Sequence, residues 1–172
     1  DQFIIADMGS HILDVARFLF GEATALNCWT NRVHPDIQGE DVATVLLRMR
    51  SGATVTCNLS YASRVEHDRF PETYGFVEGT AGSAELGPDF WIRVTKPEGT
   101  TSRRCPPPFY AWADPRYALV HSSIVECQRN LLRHLSGQGA AETTGEDNLK
   151  TVQLVSAAYA SAASGETVRL PA

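Results

Sequence analysis

The spacing of hydrophobic positions changes along the chain, and the changes mark its elements. Residues 8–20 repeat apolar side chains every three or four positions, which predicts a helix that stops at Gly21. On that helix Met8, Ile12, Val15, Ala16 and Leu19 form an apolar stripe. The period then falls to two. Residues 24–33 read as a strand. In the clearest strand Val42, Thr44, Leu46 and Arg48 face one way, and Ala43, Val45, Leu47 and Met49 the other. Ser51-Gly52 predicts a hairpin turn, with residues 53–61 as the antiparallel partner. Shorter strands are predicted over 73–78, 83–86 and 91–95.

The pattern then lapses. Residues 96–115 hold Pro97, Pro106, Pro107, Pro108 and Pro115 with few periodic apolar positions, which predicts a long loop. Asp114-Pro115 is an N-cap followed by proline at the first helical position, and opens a helix running to about residue 135. Thr143 and Glu146 have the spacing of a capping box. The next helix turns Leu149, Val152, Val155, Tyr159 and Ala162 inward and ends at Gly165. Residues 167–170 read as a closing strand. A helix, a run of strands, then two helices and a strand make an α+β fold over residues 1–172. It is expected as a single domain whose largely antiparallel (mixed) β-sheet carries helices on one face. Residues 25–29 and 45–47 are apolar on both sides, so the other face is expected to be covered, which favours a homodimer.

Composition narrows the class. A chain of 172 residues, 43% hydrophobic and 20% charged, is that of a soluble globular protein. Its formal net charge of −5 argues against nucleic acid or an anionic membrane surface as the main partner. No apolar run approaches the roughly 20 residues that span a bilayer. Cys28, Cys57, Cys105 and Cys127 include no C-x-x-C pair, and are expected to be reduced thiols of a cytoplasmic protein. No metal site is expected. G-x-G-x-x-G, G-x-x-x-x-G-K-S/T and G-x-S-x-G are all missing, and the chain opens at Asp1 without methionine, so it is expected to be a piece of a longer protein.

The candidate chemistry lies in the first helix. Asp7, His11 and Asp14 fall within an arc of about 60° on an ideal helix. A carboxylate beside an imidazole sets its tautomer and supports a general base. On spacing alone the plain alternative stands: Asp7 as a helix cap and His11 as a structural residue. Asp14 either receives a substrate hydroxyl, braces the ring or anchors the helix. The loop with Arg64, His67 and Arg69 reads as solvated, and the segment Phe109-Tyr110-Ala111-Trp112 as loop packing, although either suits a polyol or sugar ring. His34, His121 and His134 read as structural or surface residues.

Four stretches together resemble the C-terminal domain of the Gfo/Idh/MocA oxidoreductases, the group of glucose–fructose oxidoreductase and inositol dehydrogenase. They are Asp7-x-Gly9-x-His11-x-x-Asp14 with Gly21-Glu22; Gly39-Glu40-Asp41-x-Ala43 with Arg50-Ser51-Gly52-Ala53; Val77-Glu78-Gly79-Thr80-Ala81-Gly82-Ser83; and Thr144-Gly145-Glu146-Asp147 with Ala157-Ala158-Tyr159-x-Ser161-Ala162 and Gly165-x-x-Val168-x-Leu170. The resemblance implies a two-domain parent. An N-terminal Rossmann domain would bind NAD or NADP and carry a catalytic lysine. This domain would close the cleft around a sugar, inositol or related polyol and form the dimer through its sheet. It also implies that His11 is the catalytic histidine and Asp7 its partner. The piece alone is expected to be inactive. A non-catalytic ligand-binding or dimerisation module that kept the fold is the alternative.

Overall fold

The computed structural model describes residues 1–66 and 73–171. Its contacts divide the chain into two compact units, residues 1–63 with 143–172 and residues 64–142.

The first unit holds α1 (Ser10–Phe20), β1 (Ala23–Asn31), β2 (Val42–Met49), β3 (Thr54–Ser60), α3 (Gly145–Ser164) and β8 (Val168–Arg169). Its sheet runs β3-β2-β1-β8, every pair antiparallel. The predicted alternation of β2 holds: Ala43, Val45, Leu47 and Met49 are buried, whereas Leu46 and Arg48 are exposed. Opposite them Leu26 and Cys28 of β1 and Cys57 and Leu59 of β3 complete the inner face. Ile5, Leu13 and Ala16 from the first helical segment, and Leu154, Ala157 and Ala158 from α3, join the same apolar cluster. Period-two burial on one face against period-3.6 burial on two helices is the α+β layering that the sequence predicts. The outer face is mostly polar. Thr44 pairs with Asn58, and Asn27 with Thr167, among the exposed Trp29 and Leu46.

Four local expectations need correction here. Leu149 and Val152 of α3, expected inside, are 55% and 50% exposed, and the buried face carries Thr151, Leu154, Ala157, Ala158 and Ser161 instead. The first helix begins earlier than residue 8, in a π-helical turn over Ile5–Gly9 that runs directly into α1. Its buried face is also rotated. Val15 and Leu19, expected inside, are 49% and 55% exposed, while Arg17 is buried with Leu13 and Ala16. Arg17 sits inward because carboxylates satisfy its guanidinium there, and that phase turns Val15 and Leu19 outward. The cap of α3 is Thr144, whose hydroxyl accepts from Asp147 N at 3.2 Å, one position on from the expected Thr143 and Glu146. The chain has two adjacent threonines at this point; the box spacing selects Thr143, and the helix start at Gly145 makes Thr144 the cap.

The second unit is an antiparallel meander followed by a helix. β4 (Gly75–Gly79), β5 (Gly82–Gly87), β6 (Trp91–Lys96) and β7 (Gly99–Arg104) pair in order. β7 lies inside the expected long loop. All six of its residues are exposed, so no apolar alternation announces it; the backbone ladder with β6, from Lys96–Gly99 to Trp91–Arg104, makes it a strand. α2 (Ala118–Leu135) comes after a short turn that Asp114 caps by accepting from Arg116 N at 3.0 Å, as Asp114-Pro115 predicts. The α+β class holds, and the strands are divided between two sheets. Among the described residues no helix is long and apolar enough to cross a membrane.

Candidate active site

The π-helical turn sets up the site. Asp7 N donates to Phe3 O at 2.9 Å, but Gly9 N reaches one residue further back, to Ile4 O at 2.8 Å. This extra residue in the turn changes the angular phase of Asp7 relative to α1. Glycine at position 9 relieves a tight approach. A Cβ there would stand 2.9 Å from Leu59 Cδ1 and 3.2 Å from Ile4 O. The turn therefore lies directly on the end of β3. Asp7 and His11 are both exposed on this segment, and Ser10 Oγ donates to Asp7 O at 2.7 Å.

Backbone N–H groups at the start of a helix lack partners in the helix itself. Here a buried side chain from elsewhere supplies them. Glu40, 8% exposed, accepts from Phe3 N at 3.1 Å on both carboxylate oxygens and from Ile5 N at 3.1 Å; its carbonyl oxygen accepts from Ile4 N at 3.1 Å. The Tyr159 hydroxyl of α3 donates to Glu40 Oε1 at 2.6 Å and accepts from Ala6 N at 3.1 Å. Burial opposes the Glu40 charge, but the hydrogen bonds from Tyr159, Ile5 and Phe3 outweigh it and hold its carboxyl below the ordinary glutamate range. Tyr159 shifts the other way: burial and the Glu40 carboxylate both hold its proton on. Gly39 admits this arrangement, with φ +113° and a would-be Cβ only 2.9 Å from Phe3 Cβ. The neighbouring Asp41 is fully buried and takes Val33 N and His34 N at 2.7 Å each.

The other end of α1 is held by charge. Arg17 donates to Glu22 through Nε and Nη2, to Asp147 through both terminal nitrogens, to Asp14 Oδ1 at 3.2 Å and to Thr151 Oγ1 at 2.8 Å. Lys150 Nζ adds a contact to Glu22 at 3.0 Å. Hydrogen bonding to Arg17 dominates the shift of Glu22, whose carboxyl is pushed down to about 2. The same guanidinium lowers Asp147.

Of the three predicted residues, the structure thus keeps Asp7 and His11 exposed on one segment and draws Asp14 into the Arg17 cluster. Asp14 is half-buried and accepts from Thr151 Oγ1 at 2.7 Å as well as from Arg17. The π turn shifts only Asp7 against the two α1 residues; Asp14 leaves the group because Arg17 and Thr151 engage it. Glu40, Tyr159 and Arg17 are the partners that spacing did not reveal. The available signal for Tyr159 was a phenol among the apolar positions of α3, where a partly buried O–H needs a partner.

Other candidates fall elsewhere. Arg64 is exposed, and His67 and Arg69 lie outside the described residues. Tyr110 and Trp112 stack on each other with centroids 5.4 Å apart, leaving Phe109 and Trp112 each 65% exposed. His34 Nε2 meets Tyr61 O, His121 packs edge-on to Trp112 and Tyr117, and His134 Nδ1 meets Gly139 O. Burial pushes the Cys28 and Cys57 thiols up to about 11. A shallow cleft of about 220 Å³ lined by Glu22, Arg50, Lys150, Gln153 and Pro171 does not include His11. Among the described residues no three His, Cys, Asp or Glu side chains gather to hold a metal ion. They do not fit a dinucleotide either. Among the described residues every strand pair is antiparallel, so no βαβ crossover there offers a helix N-terminus to a pyrophosphate.

The fold and this geometry define a class. Residues 1–85 match the family model for the GFO/IDH/MocA C-terminal domain, and the chain belongs with the C-terminal domains of that family. The D-apiose dehydrogenase of Paraburkholderia graminis is 44% identical over 170 residues, which are 99% of this chain and 45% of that protein. The D-apiose dehydrogenase of Rhizobium rhizogenes strain K84 is 42% identical over 172 residues, 100% of this chain and 50% of that protein. A crystal structure of an oxidoreductase from Agrobacterium radiobacter in complex with NAD+, L-tartaric acid and magnesium matches with a TM-score of 0.93 at 42% identity, covering 98% of this chain and 49% of that one. The chain spans about half the length of the curated relatives it matches.

Proposed function

We propose that residues 1–172 form the substrate-binding and dimer-forming domain of an NAD(P)-dependent oxidoreductase acting on a sugar, with His11 as general acid/base and Asp7 as its orienting carboxylate. Oxidising a secondary or hemiacetal hydroxyl removes a hydride from carbon and a proton from oxygen. Only the proton falls to this chain. Neutral His11 takes it, and Asp7 stabilises the imidazolium that results. The observation that carries this reading is an exposed histidine and an exposed carboxylate on one segment whose two ends are separately immobilised. Catalytic geometry asks for that combination of access and rigidity. Asp14 serves as an anchor of α1, because its carboxylate is already engaged by Arg17 and Thr151.

The named activity of the two relatives makes D-apiose the first sugar to test. The NAD+ held by the Agrobacterium oxidoreductase favours a nicotinamide cofactor, bound by parts of the whole protein other than the residues described. The exposed Trp29 and Leu46 on the outer sheet face suit a homodimer contact, and four unpaired thiols suit the cytoplasm. The test is steady-state turnover of the whole protein with a panel of sugars. His11→Ala is expected to lower kcat by about 10²–10⁴-fold, the range for a lost acid/base group, without changing affinity for the nicotinamide cofactor. Wild-type turnover in that variant would leave a non-catalytic module as the better reading.

A further inference from the structure

The first turn is held from outside its own helix. Four consecutive backbone N–H groups, those of Phe3, Ile4, Ile5 and Ala6, are all held by Glu40 and Tyr159. The Glu40 carboxylate takes Phe3 N and Ile5 N, the Glu40 carbonyl oxygen takes Ile4 N, and the Tyr159 hydroxyl takes Ala6 N. The two holders are 119 positions apart, one in the loop just before β2 and one in the last turns of α3, and they bind each other at 2.6 Å. Gly39 and Gly9 are both used to bring backbone within contact distance, one against Phe3 and one against Leu59. This clamp fixes the π turn, and the π turn carries Asp7 and sets the phase of His11.

We infer that Glu40 and Tyr159 are positioning residues for the His11 base, acting through the backbone of residues 3–6 to hold the π turn and so the angle between Asp7 and the imidazole. The inference rests on His11 being the acid/base group. The chemistry suits the task. An ionised carboxylate accepting N–H groups at a helix start is favoured by the helix dipole and makes short, directional bonds. The Tyr159 hydroxyl uses its one proton on Glu40 and offers a lone pair to Ala6 N, so it couples the two sides of the clamp. Loss of either partner lets the turn relax toward an ordinary α-helical hydrogen-bond pattern. Asp7 would then be displaced around the helix relative to His11. A misplacement of about 1 Å costs on the order of 10²-fold in rate.

The experiment compares Tyr159→Phe, Glu40→Gln, His11→Ala and the double variant His11→Ala/Tyr159→Phe in the whole protein, using D-apiose and the other sugars of the panel. Ser161→Ala is the stability control: Ser161 also lies on α3 but joins Cys28 N to Glu166 O, away from the clamp. Tyr159→Phe keeps the ring and removes only the hydroxyl. It is expected to lower kcat at least ten-fold while the sugar KM stays within about two-fold, the signature of an interaction that matters in the transition state. Glu40→Gln is expected to do the same, and Ser161→Ala to change Tm but not kcat. The double variant is expected to be no slower than His11→Ala alone, because a residue acting through His11 has nothing left to position. Three results overturn the inference. They are an unchanged kcat in Tyr159→Phe, an equal kcat loss in a Ser161→Ala protein of matched Tm, or full additivity in the double variant. In each, a large loss in His11→Ala leaves the base reading standing. Wild-type turnover in His11→Ala overturns both.

Discussion

At its first turn the leading helix is held by a carboxylate that collects backbone N–H groups; at its last turn it is held by a guanidinium that collects carboxylates. The Glu40 carboxylate takes main-chain N–H groups of Phe3 and Ile5 at 3.1 Å and is itself held by the Tyr159 hydroxyl at 2.6 Å, so the clamp acts on backbone conformation. The Arg17 cluster joins side chains to side chains. It fixes where α1 lies against α3 without dictating the shape of a turn. The two devices divide the labour. The end next to the candidate chemistry has its conformation fixed, and the far end has its position fixed. Between them His11 stays exposed.

The largest effect expected from breaking the comparison is on stability, at the far end. Arg17→Met removes one cation from among Asp14, Glu22 and Asp147 and leaves their charges facing one another. Removing one partner of a buried pair costs about 3–5 kcal/mol, and the partly exposed carboxylates reduce this to about 2–3 kcal/mol. The check is chemical denaturation of the purified protein. If position and conformation are separate functions, the surviving folded variant keeps kcat within a few-fold; a collapse in kcat at full folding would mean that the far end also shapes the site.

Acid sharpens the same contrast at a smaller scale. The Glu22 carboxyl, at about 2 in the folded state against an ordinary 4.5, binds protons less readily folded than unfolded. Its contribution is therefore present above about pH 4.5 and lost as pH falls toward 2, and Asp147 behaves with the same sign. Glu40 is also depressed, so both ends loosen in acid. Thermal melts from pH 7 to pH 3 should show a shallower decline for Arg17→Met than for the native chain, because the variant has already lost the Arg17 interactions. Parallel curves would assign the acid sensitivity to the Glu40 end. The smallest effect is expected at the α3 cap, where Thr144→Ala should cost about 1 kcal/mol through the lost bond to Asp147 N. Thr143→Ala, at the position that capping-box spacing selects, should cost less in the same denaturation series.

Much of this architecture is legible without the structure. The alternation of β2, the ends of α1 and α3 at Gly21 and Gly165, and the Asp114-Pro115 start all survive, because each depends on residues within a few positions of one another. The placing of Asp7 and His11 on one segment is legible for the same reason. β7 is not, since its six exposed residues carry no hydrophobic signal and only pairing with β6 makes them a strand. The rotation of α1 is also hidden. Val15 and Leu19 look like core residues until Arg17 is seen to have carboxylates that permit its burial.

The chain by itself determined its α+β class, the inner face of β2 and the placing of Asp7 and His11 on one helical segment, because periodicity and local capping are short-range properties. Tertiary structure decided which of those polar groups stay available. Glu40 meets Tyr159 across 119 positions, and Arg17 meets Asp147 across 130. Those distant partners widen the first turn, draw Asp14 into an ion cluster and leave His11 open. No periodicity encodes such pairings, because they exist only once the strands have brought α1 and α3 together.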